Sequence, residues 1–243
     1  MKISKMRKLY TARFIGRVLL FLCAVCTYFS HPEYIEIIKN FNIFTSFNLL
    51  TVFYVIWTVD IVLQFMPLTE HLLMGHLKQF KSYLKTINIK QEISSVTKMM
   101  KKQVQSNVGA LKVLIFWVIL TVIIGMLKIF NIITVKELFL ISCLFYVCDL
   151  ICVLFYCPFR HLLMKNKCCA TCRIFNWDHI MMFSPFIFVK GFYSWSLVAL
   201  SLVGMFMWEF NYFAHPERFF EESNATLKCK NCKDKMCGKI SAR

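Results

Sequence analysis

An all-α polytopic membrane bundle is the fold this sequence predicts, on three observations. Hydrophobic residues make up 58% of the 243, and mean hydropathy is +0.58, more apolar than a soluble core requires. Apolar runs long enough to cross the hydrocarbon of a bilayer recur along the chain. Basic residues gather in the gaps between those runs, so the net charge of +16 reads as an orientation signal, not as a nucleic-acid surface. About six transmembrane helices are expected, with both termini cytosolic; in a prokaryote the membrane would be the plasma membrane.

Residues 1–66 are expected to hold the first two spans. Lys2, Lys5, Arg7, Lys8, Arg13 and Arg17 keep the start of the chain inside, and a span follows from about Leu9 to Phe29. It resembles a signal peptide, but no small-residue cleavage site follows it, so a retained span is expected. Residues 31–48 would then be external. Tyr34, Ile37, Ile38, Phe41 and Phe44 sit at helical spacing, which fits either a short surface helix or a loop packed on the bundle. The second span runs from Leu49 to Phe65, and Pro67 ends or kinks it.

Residues 67–112 form the largest cytosolic stretch, in which lysines far outnumber Glu70 and Glu92. Leu73, Leu77, Phe80, Leu84 and Ile87 repeat every three or four residues, and so do Ile93, Val96, Met100 and Val104. Two basic amphipathic helices are expected there, lying on anionic lipid or pairing with each other or a protein partner. Residues 113–157 carry the third span, about Val113 to Phe130, and the fourth, about Leu138 to Tyr156. Residues 179–210 are read as a transmembrane or re-entrant hairpin. In it a kinked fifth span, entering from Ile174 and ending near Val189, turns at Lys190-Gly191 into a sixth from Phe192 to Trp208. Tyr193 and Trp195 would mark the outer interface, and Trp177 and Trp208 the inner one.

The 12 cysteines point to metal chemistry more than to disulfides, because basic segments face a reducing compartment. Cys169 and Cys172 in the first knuckle (residues 158–178) and Cys229 and Cys232 in the tail (residues 211–243) are two C-x-x-C pairs. Each pair can chelate one ion, and four thiolates suit a tetrahedral structural zinc. Flanking Lys167, Arg173, Lys228, Lys230 and Lys233 are expected to favour the thiolates. Cys168, Cys237 and His179 are spare ligands. Four cysteines also serve an iron or iron–sulfur centre, and a thiol redox pair is a further use. Cys23, Cys26, Cys148 and Cys152, inside apolar runs, are expected to be packing filler.

Charges that interrupt apolar runs are costly unless they face a partner. Arg17, Asp60 and Asp149 fall at similar depths and are expected to converge as an interior salt-bridge cluster; a proton or cation relay is the functional version. No phosphate-binding loop, zincin helix, nucleophile elbow or dinucleotide fingerprint occurs. The expected role is a non-enzymatic membrane scaffold, assembly or interaction protein, stapled by zinc and binding a protein partner or a second copy. The alternatives are a small transporter or channel using Asp60 and Asp149, or a membrane thiol-redox or electron-transfer protein.

Overall fold

Backbone N–H and C=O groups with no water to face must find partners within the chain, and a helix supplies them within one segment. A computed structural model describes residues 4–41, 48–65, 89–224, 227–228 and 231, and every regular element among them is helical. In chain order they are α1 (Lys5–Ser30), α2 (Glu33–Glu36), α3 (Leu49–Phe65), α4 (Ile89–Ile129), α5 (Val135–Leu154), α6 (Asp178–Phe183) and α7 (Phe192–Ala214), joined by short 3-10 and π turns. Within α1, α4, α5 and α7 lie stretches long and apolar enough to cross a membrane, and α3 is a shorter apolar helix. The described residues are therefore helical and include four candidate membrane-spanning helices.

Local signals account for the helix ends. Ser4 caps α1 by accepting from the Arg7 N–H, at 3.1 Å. Thr134 and Glu137 form a reciprocal capping box that starts α5. His31 and His215 terminate α1 and α7. In each case Pro follows and a Glu pairs with the imidazole Nδ1, at 3.2 Å for Glu33 and 3.3 Å for Glu217. The two His-Pro-Glu tripeptides, at 31–33 and 215–217, are the same helix stop used twice, because proline cannot donate the next helical bond.

Side-chain contacts set the helix directions. Along α1 and α5, Phe14 meets Phe155, Arg17 meets Tyr146 and Tyr28 meets Glu137, so these helices are antiparallel. Phe53 against Phe139 and Asp60 against Tyr146 make α3 parallel to α5. Trp177 bonds Glu209 while Phe186 packs on Tyr193, so residues 177–189 run back along α7. An apolar core of Phe53, Trp57, Phe139, Phe183, Phe186 and Tyr193 fills the centre. The outer faces stay apolar, with Leu19 on α1, Ile119 on α4 and Phe206 on α7 all more than half exposed, as lipid-facing positions are.

Three expectations change and one open alternative closes. The amphipathic repeat that includes Ile93 to Val104 is no separate helix: α4 runs 41 residues without a break, because no proline interrupts 89–129 and its glycines sit at close contacts. The companion repeat, Leu73 to Ile87, lies outside the described residues. The segment expected to be a kinked fifth span is a six-residue helix followed by a 3-10 turn at Ser184–Phe188. Pro185 has no N–H to continue the helix, and the Ser184 hydroxyl donates to the Met181 carbonyl instead. Tyr193, Trp177 and Trp208 are core, not interfacial belt, whereas Trp195 is exposed. Each indole N–H finds an internal acceptor, Glu209 for Trp177 and the Arg173 carbonyl for Trp208. After α1, Ile35, Ile38 and Phe41 turn inward while Tyr34 and Ile37 face out, so residues 31–41 pack against the bundle; Phe44 lies outside the described residues.

Candidate functional site

Two buried arginines, one cavity and a group of cysteines hold the polar chemistry of the described residues. Arg17 stands on α1 and is 8% exposed. Its guanidinium donates to Asp149 Oδ2 at 2.6 Å, to the Tyr146 carbonyl at 2.8 Å and to Asp60 Oδ2 at 3.4 Å. The Tyr146 hydroxyl donates to the same Asp60 oxygen at 2.5 Å, and the guanidinium carbon sits 3.9 Å from the centre of the Tyr146 ring. Arg17, Asp60 and Asp149 therefore meet on three helices, with Tyr146 as a fourth member that the sequence reading did not include. A buried guanidinium is tolerable only when its N–H fork and charge are both answered, as they are here.

The second centre went unread in the sequence. Arg173, also 8% exposed, pairs with the Glu209 carboxylate on α7 and donates to Asn107 Oδ1 on α4. Its guanidinium carbon is 4.4 Å from the Tyr212 ring centre and 5.0 Å from that of Phe213. Glu209 also accepts from the Trp177 indole at 2.8 Å. Glu209 closes a long apolar run, and that interrupting acid was the available signal; the arginine was hidden in a basic, cysteine-rich stretch where positive charge looked unremarkable.

Just beyond, the tail folds back. Phe219 and Phe220 pack with Trp208 and Tyr212, and Lys102 on α4 pairs with Glu221, at 2.9 Å, and with Glu222. The Asn224 amide, fully buried, donates to the Arg218 carbonyl at 2.9 Å.

A cavity of about 390 Å³ opens where α5 ends, lined by Cys148, Cys152, Cys157, Cys169 and Cys172 together with Asp149, Asp178 and Arg160. Cys148 and Cys152 are thus wall residues of a cavity and not filler, while Cys23 and Cys26 face outward on α1. Cys169 takes a 2.8 Å hydrogen bond from Arg160 Nη1, yet burial outweighs that guanidinium and pushes its thiol up to about 11. The thiolate expected from the flanking basic residues is therefore not favoured at Cys169. Cys172 packs among Trp208, Tyr212 and Phe219. Cys168 packs near Met6 and Tyr10, and His179 is buried with its Nδ1 3.2 Å from Asp178. Among the described residues no three His, Cys, Asp or Glu side chains are arranged to hold a metal ion. Cys229, Cys232 and Cys237 lie outside the described residues, so the tail half of the four-cysteine set has no geometry here.

No family model, curated protein or solved structure matches the chain.

Proposed function

We propose that the protein is a non-enzymatic membrane scaffold or interaction protein, which uses the N-terminal part of α4 as a basic arm at the cytosolic surface. One observation carries this reading: α4 has 41 residues, about 62 Å at 1.5 Å per residue, roughly twice the hydrocarbon thickness. About half the helix must therefore stand outside the membrane. On that half Val96, Met100 and Val104 are exposed on one stripe, and Lys98, Lys101 and Lys102 are exposed beside it. An apolar stripe flanked by ammonium groups suits an anionic lipid surface. The tail braces the arm through Lys102.

Six crossings with both termini cytosolic remain part of the proposal. Its support is the antiparallel course of residues 177–189 along α7, together with the packing of Phe175 against the start of α1 and near Trp208. A zinc held by Cys169, Cys172, Cys229 and Cys232 would add a second tie between tail and loop. It requires Cys169 to leave Arg160, and metal analysis of the purified protein tests it: less than one zinc per two chains removes the staple.

The arm itself is tested with an environment-sensitive dye on Val104→Cys in a background lacking Cys23 and Cys26, in nanodiscs. Emission should shift to the blue with anionic lipid and less with neutral lipid. Cross-linking between copies in neutral lipid would make a second copy the partner, and a dye that stays water-exposed in both lipids sinks the arm. A transporter is the second reading, favoured by Asp149 touching both the Arg17 cluster and the cavity. Liposome flux unchanged in Asp60→Asn and Asp149→Asn removes it.

A further inference from the structure

The cavity of about 390 Å³ is a groove on the flank of the bundle and not a sealed chamber. Ile151 and Tyr156 in its wall are exposed, as is Phe155 beside them. α5 is a candidate span that stops at Leu154. The groove therefore follows the last turns of that span to the level where the chain leaves the hydrocarbon. Phe155 and Tyr156 mark that level as interfacial aromatic rings do. Trp117, Phe145, Phe175 and Met182 keep the inner wall apolar. The volume is that of a small-ligand site, enough for part of one acyl chain.

Arg160 sets the chemistry of the mouth. Its Nη1 donates to the Cys169 thiol at 2.8 Å, and its Nη2 lies 2.9 Å from His161 Nε2. Neither neighbour is a countercharge. Burial keeps the Cys169 thiol protonated, and an imidazole nitrogen accepts only in the neutral ring. Arg160 Nε is enclosed with no acceptor among the described residues. The two acids of the wall are engaged elsewhere, Asp149 with Arg17 at 2.6 Å and Asp178 with His179 Nδ1 at 3.2 Å. Among the described residues no carboxylate pairs with Arg160. The chain then turns back, the Asn166 N–H donating to the Arg160 carbonyl at 2.9 Å, which brings exposed Lys165 and Lys167 into the same turn. A guanidinium without a countercharge, beside lysines and at the mouth of an apolar groove, matches an anion that carries a hydrocarbon chain.

We propose that this groove holds one anionic phospholipid, with its phosphate on Arg160 and one acyl chain along Trp117, Phe145 and Phe175. The phosphate supplies the charge that Cys169 and His161 do not, and a guanidinium fork suits phosphate oxygens. The acyl chain asks nothing of Asp149 and Asp178, whose partners are already in place. The bilayer itself delivers the ligand, because phosphates lie at the depth where α5 ends, and a basic pocket between membrane helices is a headgroup site. The site is distinct from the α4 arm: it takes a single lipid molecule, not a membrane surface.

The test is native mass spectrometry of the full chain in detergent, where no bilayer surface remains for the arm. The probes are phosphatidylglycerol and phosphatidylcholine with the same acyl chains. One phosphatidylglycerol should stay on each chain, and phosphatidylcholine should bind about tenfold more weakly. Arg160→Gln should weaken phosphatidylglycerol about tenfold, the scale of one lost charge-assisted pair. Lys190→Gln, exposed just ahead of α7, should leave binding unchanged. On the unaltered chain, a phosphatidylglycerol with a diazirine in one acyl chain should label residues 145–158 and 172–182. That mapping does not depend on any variant folding. The proposal is overturned by undiminished binding in Arg160→Gln, by equal binding of the two lipids, by label confined to other residues, or by no lipid retained. Displacement of the lipid by millimolar inorganic phosphate would make a free anion the ligand and overturn it as well. The arm is read separately, by the dye on Val104→Cys, so either reading can fail alone.

Discussion

Arg17 and Arg173 are equally buried and solve the same problem differently. Each guanidinium lies over a tyrosine ring and is tied to a carboxylate from another helix. Arg17 sits among three helices and answers two carboxylates, Asp60 and Asp149. Arg173 stands at the end of α7 and answers one, Glu209, with neutral Asn107 completing its fork. The difference shows in what remains when the arginine is removed. Around Arg17, two acids would be left in an apolar bundle with one tyrosine hydroxyl between them. At Arg173, Glu209 would keep the Trp177 indole. The inner site is the stricter lock because its charges have fewer substitutes.

The comparison breaks most readily at Arg17. Arg17→Met should cost about 3–5 kcal/mol, the range for stranding buried charge, seen as loss of monodisperse protein or a large drop in thermal midpoint in detergent. Adding Asp60→Asn and Asp149→Asn should recover part of that loss. A single variant as stable as the parent would mean that water reaches the carboxylates. Arg173→Met should cost less, about 2–3 kcal/mol, because Glu209 retains one donor; a loss equal to that of Arg17→Met would erase the distinction between the two sites.

Gly125→Ala probes the packing of α4 against Phe188, away from both arginines. A methyl there would stand 2.5 Å from Phe188, so about 1–3 kcal/mol should be lost. Phe188→Leu in the same chain should restore most of it, and no recovery would place the strain elsewhere. The smallest effect belongs to Lys102→Ala. Its pairs with Glu221 and Glu222 lie on a side chain 46% exposed, where solvent screening leaves under about 1 kcal/mol. A thermal midpoint shifted as far as in Arg173→Met would show that the tail brace is stronger than its exposure allows.

The contrast also explains what could be read in advance. Arg17, Asp60 and Asp149 interrupt apolar runs, and a charge in such a run must face another, so their convergence was expected from sequence. Arg173 interrupts nothing. It follows Arg160, Lys165 and Lys167 in a basic stretch, and only the return of α7 beside it supplies Glu209. The shared cavity was hidden for a similar reason. Cys152 looked like apolar filler on a helix, and Cys157 stood beyond the helix end, so their lining one cavity depended on how the chain bends before Pro158.

Composition and periodicity alone determined that the chain forms helices long and apolar enough to cross a membrane, where those helices fall, and which three charges seek one another. Those properties depend on the solvent that each segment prefers, which is written residue by residue. Tertiary packing decided that α4 continues unbroken past the bilayer's thickness, that Tyr193, Trp177 and Trp208 turn inward, and that residues 178–188 fold as a short broken helix against α7. It also decided that five cysteines share one cavity. Such outcomes rest on which faces meet across distant helices, and a linear pattern carries no record of that until the helices have packed.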